Sequence, residues 1–284
     1  MPTTNALVLN ERLHKATSDW IRHPVTTNIA SGNEIVCTHL RQYDYDRDNY
    51  FQNWYVYIED FLNTGVDRRV RAYYTANATL NVYGTALTAD GSNTQNIRLS
   101  RTSFSKAQQA LNDALRETYP SLHKRVVDKS LATNMHLFEY PIPASFNNGE
   151  IYEVAINVAI ANTSQEWKET YRYDFGWAVI NEGNTLHLNN LHTSGFEIRL
   201  SGITPLEQVN AASDAVNVSG SQLDLLVAYA KYKLYGQYVQ PAASTDTERY
   251  EREEAKAYGE YKRLLPKARM TMPARPLRMG RLDA

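Results

Sequence analysis

The sequence predicts an α+β fold with a helical core, a C-terminal helical hairpin, antiparallel β-sheet insertions and an extended C-terminal tail. Two blocks of short segments alternate between apolar and polar residues, which is the period of half-buried strands. Three other segments repeat apolar residues every three or four positions, which is the period of helices. The predicted segments are 1–32 (N-terminal helix and lead-in), 33–102 (first β-rich block), 103–133 (central helical segment), 134–204 (second β-rich block), 205–265 (helical hairpin) and 266–284 (extended basic tail).

The N-terminal half predicts one helix followed by short strands. An imperfect apolar stripe predicts a helix over 5–22, which Pro24 stops. A strand is expected over Asn33–Leu40. Alternation then predicts strands at Tyr55–Ile58, Arg69–Tyr73, Thr79–Tyr83 and Ile97–Arg101.

The middle of the chain predicts a helix and a second group of strands. The spacing of Ala107, Ala110, Leu111, Ala114 and Leu115 predicts a helix over about 104–118. Ser103 or Ser105 is the expected cap, and Tyr119-Pro120 the expected end. A short second helix is expected at His123–Ser130. The strands expected after it are Ile151–Val158, Tyr171–Val179, Thr185–Leu188 and Phe196–Leu200.

The last third predicts two amphipathic helices. The first has its stripe at Leu223, Leu226, Val227, Ala230 and Leu234, and the second begins near the capping box formed by Thr245 and Glu248. Pro266 is expected to end the second helix. The tail 266–284 contains three prolines, Pro266 included, and no stripe, so an extended conformation is expected.

Composition and charge exclude several classes of protein. Net charge is −1, which does not favour a general nucleic-acid binder, but residues 262–284 sum to +6 and residues 1–261 to −7. A single cysteine, Cys37, excludes an internal disulfide and is expected to be buried. The 20 tyrosines suit either a protein interface or a tyrosine-rich sheet surface.

Motifs for catalysis, metals and membranes are weak or missing. The N-terminal residues do not resemble a signal peptide, and no apolar run approaches a membrane span, so we expect a protein made in the cytoplasm. The acidic run 44–48 resembles an EF-hand start, but Asn49 and Tyr55 stand where Gly and Glu are needed. His187 and His192 are too few for a metal site. We therefore expect no catalytic residue, cofactor or metal.

Two groups of residues are candidates for protein contacts. Interleaved arginine and soft apolar side chains in the tail suit an adaptable peptide that docks on a partner. These candidates are Arg269, Met270, Met272, Arg275, Leu277, Arg278, Met279 and Arg281. An acidic stretch of the last helix could contact the basic tail of a neighbouring copy, and its candidates are Glu251, Glu253, Glu254 and Tyr258. A disordered tail and a solvated acidic face are the plainer interpretations.

The order of these features resembles the head-to-tail connector (adaptor or neck) proteins of siphophages. The similar stretches are Cys37–Leu40 with Asn49–Ile58, Gly65–Tyr73 with Ala78–Val82, Ala110–Asp128, and Leu223–Ala230 with Tyr250–Leu265. The resemblance implies a structural virion protein without catalytic residues. It implies a ring, usually twelvefold, that docks under the portal protein and contacts the next neck or tail ring while DNA passes through without sequence-specific contact.

Other functions stay open at this point. A tail or capsid-decoration protein would share the β-rich composition. A carbohydrate-binding module would need an exposed aromatic platform, for which Trp54, Trp167 or Trp177 are candidates. A hydrolase would need convergent carboxylates, which the sequence does not position. The expected location is the neck of a virion that is assembled in a bacterial host.

Overall fold

The chain combines helices with antiparallel sheets, which confirms the predicted α+β class. A computed structural model describes residues 4–17, 20–91, 95–157, 167–170, 176–211, 213–239 and 244–271. The chain divides into two compact units. Unit 1 comprises Met1–Glu117 and Gln208–Ala268, and unit 2 comprises Thr118–Glu207 and Arg269–Ala284. Unit 2 is therefore inserted into the chain of unit 1.

The secondary structure follows the periodicity of the sequence in most places. The strands are β1 (Thr4–Asn5), β2 (Ile21–Pro24), β3 (Glu34–Val36), β4 (Tyr55–Ile58), β5 (Asp67–Tyr74), β6 (Thr79–Val82), β7 (Asn96–Ser100), β8 (Lys124–Ala132), β9 (Glu139–Pro141), β10 (Glu150–Asn157), β11 (Trp167–Thr170), β12 (Trp177–Ile180), β13 (Thr185–Leu188), β14 (Glu197–Thr204) and β15 (Ala215–Val216). The helices are α1 (Ala6–Ala16), α2 (Phe104–Glu117), α3 (Ser221–Val239) and α4 (Ser244–Ala268). Short 3₁₀ turns cover Thr38–Gln42, Phe61–Asn63, Ala144–Phe146 and Asn181–Gly183.

Unit 1 is built on a six-stranded antiparallel sheet with the order β2-β7-β4-β5-β6-β3. Alternating residues of its strands point into one core, because successive side chains of a strand face opposite sides. The fully buried members include Val56, Ile58, Leu80, Ile97 and Leu99, and Cys37 is buried with them, as predicted. A separate two-stranded sheet pairs β1 with β15.

The helices of unit 1 pack around α3. Asn5 caps α1 by accepting a hydrogen bond from the Val8 backbone N–H at 2.9 Å, and Ser103 caps α2 through Lys106 N–H at 3.2 Å. The apolar stripe predicted for α2 is confirmed, since all five of its members are buried. Helix α3 contacts α1, α2 and α4.

Unit 2 is formed by two antiparallel sheets that share one core. The first has the order β11-β10-β14-β8, and the second has the order β12-β13-β9. Trp177, Leu186 and Leu188 from the second sheet pack with Ile198 and Leu200 from the first. The long strand β8 lies at the edge of its sheet and pairs with β14.

The predicted helix over 5–22 is wrong at its C-terminal end. Helix α1 ends at Ala16, and Ile21–Pro24 forms strand β2. Ile21 pairs with Leu99 and is 7% exposed. The pairing with β7 buries Ile21 in the sheet core, so tertiary contacts outweigh the local helical spacing.

The predicted helix at His123–Ser130, within the proposed helical segment 103–133, is also wrong. These residues lie mainly in β8, which follows a cis Tyr119-Pro120 bond. Half-buried and exposed positions alternate along its first six residues, and Val126 and Leu131 pack against the core of unit 2. The β-branched pair Val126-Val127 favours an extended backbone over a helix.

Several element boundaries differ from the prediction. The strand expected over Asn33–Leu40 is confined to β3, because Thr38–Gln42 forms a 3₁₀ turn. Of the strand expected over Tyr171–Val179, residues 177–179 lie in β12, and 171–175 lie outside the described residues. Helix α4 already includes Ser244, so Thr245 lies inside the helix rather than at its cap.

Pro266 does not end α4, contrary to the prediction that the extended tail begins there. The helix contains Pro266 and continues to Ala268, which is 2% exposed. Proline removes one backbone donor from the helix, and burial of Ala268 favours continuing the turn. Residues 272–284 of the predicted extended tail lie outside the described part of the chain.

A buried arginine, Arg98, joins the sheet of unit 1 to its first helix. Arg98 and Glu59 contact each other, and each side chain is 4% exposed. Arg98 also donates to the Leu7 carbonyl at 3.4 Å, and its Cζ lies 4.8 Å from the centroid of the Trp20 ring. Burial, with repulsion from Arg22, lowers the pKa of Arg98 to about 10, so the guanidinium stays charged at neutral pH.

Replacing Arg98 with Met should lower the free energy of unfolding by about 3 kcal/mol, because buried Glu59 would lose one of its arginine partners and keep Arg22, whose side chain is 47% exposed. The control is Arg12→Met, which removes an ion pair with Asp224. Both of those side chains are exposed, by 50% and 60%, so this change should cost under about 1 kcal/mol. Urea unfolding of the full chain measures both. Equal costs for the two variants would contradict this account.

The buried side chain of His14 makes the stability of unit 1 depend on pH. The side chain is 2% exposed and its Nδ1 lies 3.1 Å from Thr102 Oγ1. Burial, with repulsion from Arg98, lowers the pKa of His14 to about 4. The unfolded chain binds this proton near pH 6.5, so stability should fall as the pH drops from 6.5 towards 4.

Between about pH 7.5 and about pH 5, the free energy of unfolding of the wild type should fall by about 2 kcal/mol more than that of His14→Gln. Carboxylates contribute equally to both proteins in that window, so the comparison isolates the imidazole. Urea unfolding at both pH values measures the difference. A wild type and a variant with parallel pH profiles would show that His14 is not buried in its neutral form.

Candidate assembly surfaces

Helices α3 and α4 meet through tyrosine rings. Tyr229 and Tyr232 of α3 lie beside Tyr258 and Tyr261 of α4, with ring centroids 4.7 Å apart for Tyr229 and Tyr261 and 5.1 Å apart for Tyr232 and Tyr258. Such ring pairs stabilise the contact between the helices beyond the effect of burying their apolar area. Tyr258 remains 39% exposed, so the tyrosine contact reaches the surface.

Glu117 links α2 to this tyrosine contact. It accepts hydrogen bonds from the Tyr229 hydroxyl at 2.8 Å and from Lys233 Nζ at 2.6 Å. Burial alone would raise the pKa of Glu117, but the bonds from Lys233 and Tyr229 outweigh it and lower the pKa. Burial and the bond to Glu117 raise the pKa of Tyr229. The charged carboxylate and neutral phenol therefore persist at neutral pH.

The acidic residues predicted to contact a neighbouring copy are not equivalent. Glu251 is exposed, whereas Glu253 pairs with Lys256 at 2.6 Å in the same helix. Glu254 is half-buried and faces α3, where a Cβ on Gly236 would lie 3.1 Å from its Oε1. Of the four candidates, Glu251 and Tyr258 are thus the most accessible.

The first residues of the predicted docking tail are fixed within unit 2. The Met270 N–H donates to the Ser121 carbonyl at 2.9 Å, and its Sδ accepts from the His123 N–H at 3.3 Å. Arg125 donates to the Thr271 carbonyl at 3.4 Å, whereas Arg269 is exposed. The candidates beyond Thr271 lie outside the described residues: Met272, Arg275, Leu277, Arg278, Met279 and Arg281.

Sequence reasoning missed an exposed group in unit 2 that we call the apolar loop cluster, defined as Met135, Leu137, Phe138 and Leu191. Their exposed fractions run from 42% to 50%. Ordinary loops rarely expose several large apolar side chains together, and such groups mark interaction sites. The residues fall outside the predicted strands and show no periodicity, so pattern analysis gave them no role.

Hydrogen bonds hold the two loops of this cluster together. Met135 N–H donates to Ser194 Oγ at 3.0 Å, and Thr133 Oγ1 donates to the Thr193 carbonyl. The Tyr140 hydroxyl accepts from Asn134 N–H at 2.9 Å. These hydrogen bonds hold the backbone of 133–135 next to Thr193 and Ser194.

Several of the residues considered for metal or sugar binding make contacts within the fold. Asp44 is fully buried and accepts from the Tyr73 hydroxyl at 2.7 Å, so the acidic run is a folded turn. His187 stacks on Phe138. Trp177 is 1% exposed and Trp54 is half-buried under Arg101, whereas the side chain of Trp167 lies outside the described residues.

The described residues hold no group of three or more His, Cys, Asp and Glu side chains that could bind a metal. None of the helices in that part of the chain is long and apolar enough to span a membrane. Comparison with known protein families and with curated proteins finds no match to this sequence.

Proposed function

We propose that this chain is a structural virion protein that forms a ring adaptor between the portal and the tail of a bacteriophage. The ring would keep a continuous channel through which DNA passes without sequence-specific contact. The proposal assigns no catalytic residue, cofactor or metal to the chain. Its partners would be the portal protein, further copies of itself in a ring, and the next neck or tail protein, within the neck of the virion.

The observation that carries the proposal is that the first residues of the tail are held in place by hydrogen bonds. Met270 and Thr271 are held by Ser121, His123 and Arg125 in unit 2. The 13 residues that follow contain three arginines and four large apolar side chains. A segment of this composition that starts from a fixed point suits docking into an acidic, partly apolar groove of a portal subunit.

The apolar loop cluster supports a second contact in the same assembly. It belongs to unit 2 and comes from loops far from the tail in sequence. An adaptor needs two unlike partner surfaces, because it joins two different proteins. We propose that the helical core, with the hairpin formed by α3 and α4, faces the portal, and that the apolar loop cluster contacts the next ring.

The chain's binding to purified siphophage portal rings tests this proposal. We compare the full chain with a chain that ends at Thr271, which keeps α4 and the contacts of Met270. The truncated chain should bind at least about tenfold more weakly. A third protein, with Arg275, Arg278 and Arg281 changed to Gln, should bind more weakly than the full chain and lose most of its salt dependence.

Binding that is equal for all three proteins would remove the tail from the docking role. Failure of all three to bind would contradict the adaptor function and favour a tail or capsid-decoration protein. Circular dichroism of the three proteins is the control for folding, since every change lies C-terminal to helix α4 in the sequence.

A further inference from the structure

Strand β8 forms one edge of the larger sheet of unit 2. It pairs with β14 on one side, and no other strand in the described part of the chain pairs with it. Its first five residues, Lys124–Asp128, pair in regular register with residues 200–204 of β14 before a register shift interrupts the ladder. A regular edge strand presents backbone N–H and C=O groups that can pair with a further strand. We call the outer side of Lys124–Asp128 the open edge.

The last described residues of the chain lie at the beginning of the open edge. The Met270 N–H donates to the Ser121 carbonyl at 2.9 Å, and the His123 N–H donates to the Met270 Sδ at 3.3 Å. These two bonds place Met270 opposite Leu122. The carbonyl of the next residue accepts from the Arg125 side chain at 3.4 Å. The contacts of the tail thus advance along the chain in the same direction as β8, which directs the tail parallel to that strand.

The sequence of the tail allows a strand of four residues on the open edge. Backbone groups of an extended chain point to alternate sides, so the N–H groups of Met272 and Ala274 would face the same side as that of Met270. Pro273, which has no N–H, would stand at an outward position, where an edge strand tolerates proline. Pro276 would stand at an inward position and end the pairing.

The side chains of these four residues match the two faces of β8. Half-buried and exposed positions alternate along the first six residues of β8. In the register of the Met270 contacts, Ala274 falls beside Val126, which is half-buried and packs against the core of unit 2. Arg275 falls beside Val127, which is 60% exposed. The apolar side chain therefore lies on the half-buried face, and the charged one lies in solvent.

We propose that residues 272–275 add to β8 of the same chain as a short parallel strand, which Pro276 ends. The occupant is the tail of the same chain because these residues follow directly on Thr271, which is bound beside Arg125. Such tethering raises the effective concentration of the segment to about the millimolar range. Four residues pair weakly by themselves, so the strand depends on the bonds that hold Met270 and Thr271.

The added strand determines where the free part of the tail begins. Four residues of strand span about 13 Å, so the tail leaves unit 2 near Asp128 rather than near Ser121. The free peptide is then 276–284, which keeps Arg278 and Arg281 available to a partner. The inference goes beyond the proposed function and does not require the portal, because the contact lies within one chain.

Amide hydrogen exchange of the isolated chain, measured residue by residue by NMR, tests the strand. The period of two that starts at His123 directs the N–H groups of Arg125 and Val127 to the open edge. In a chain that ends at Thr271, these two N–H groups should exchange at least about tenfold faster than in the full chain. The N–H of Val126 faces β14, so its exchange should not change, and it is the internal control for folding.

Two proline variants of the full chain test the register. Ala274→Pro removes an N–H that faces β8, so Arg125 and Val127 should exchange nearly as fast as in the truncated chain. Arg275→Pro places proline at the adjacent, outward position. Both rates should then stay within about twofold of those in the full chain.

Each outcome of these measurements supports or overturns the strand, whether or not the chain binds portal rings. Slower exchange in the full chain at every protein concentration, with the expected difference between the proline variants, supports it. Equal exchange in the full and truncated chains overturns it, and equal effects of the two proline variants overturn its register. Protection that appears only at high protein concentration shows that the strand comes from a second copy, which overturns the contact within one chain.

Discussion

Burial of α3 on two opposite faces is the constraint on which unit 1 depends. Leu223, Leu226, Ala230 and Leu234 are buried on one face, and Leu225 and Ala228 are buried on the opposite face, whereas Asp224 is 60% exposed between them. A helix that is buried on two faces needs more than one neighbour. The chain supplies α1 and α2 before unit 2 and α4 after it, so the core of unit 1 is completed when the chain returns from the insertion.

The sequence predicted elements well where one face meets a core and the other meets water. Alternation located β4 to β7, and the spacing of small apolar residues located α2. Alternation failed at β2 and β8, because Ile21–Pro24 and Lys124–Ala132 contain few apolar residues and do not alternate regularly between apolar and polar positions. The predicted stripe of α3 omitted Leu225 and Ala228, which are buried by helices distant in sequence.

The candidate surfaces were only partly predictable, for a related reason. Charge identified the basic tail and the acidic stretch of α4. It does not reveal which way each side chain points from the helix. Packing alone turns Glu254 towards Gly236 and leaves Glu251 in solvent. Phe61, Leu62 and the apolar loop cluster are exposed apolar residues in turns, where no periodicity distinguishes them from buried ones.

The adaptor account is tested most directly by native mass spectrometry of siphophage portal rings saturated with the full chain. The account predicts one bound copy for each portal subunit, with partially filled rings rare, because neighbouring copies stabilise one another. Binding of a few scattered copies, or of none, would contradict the claim that this chain assembles as a ring on the portal.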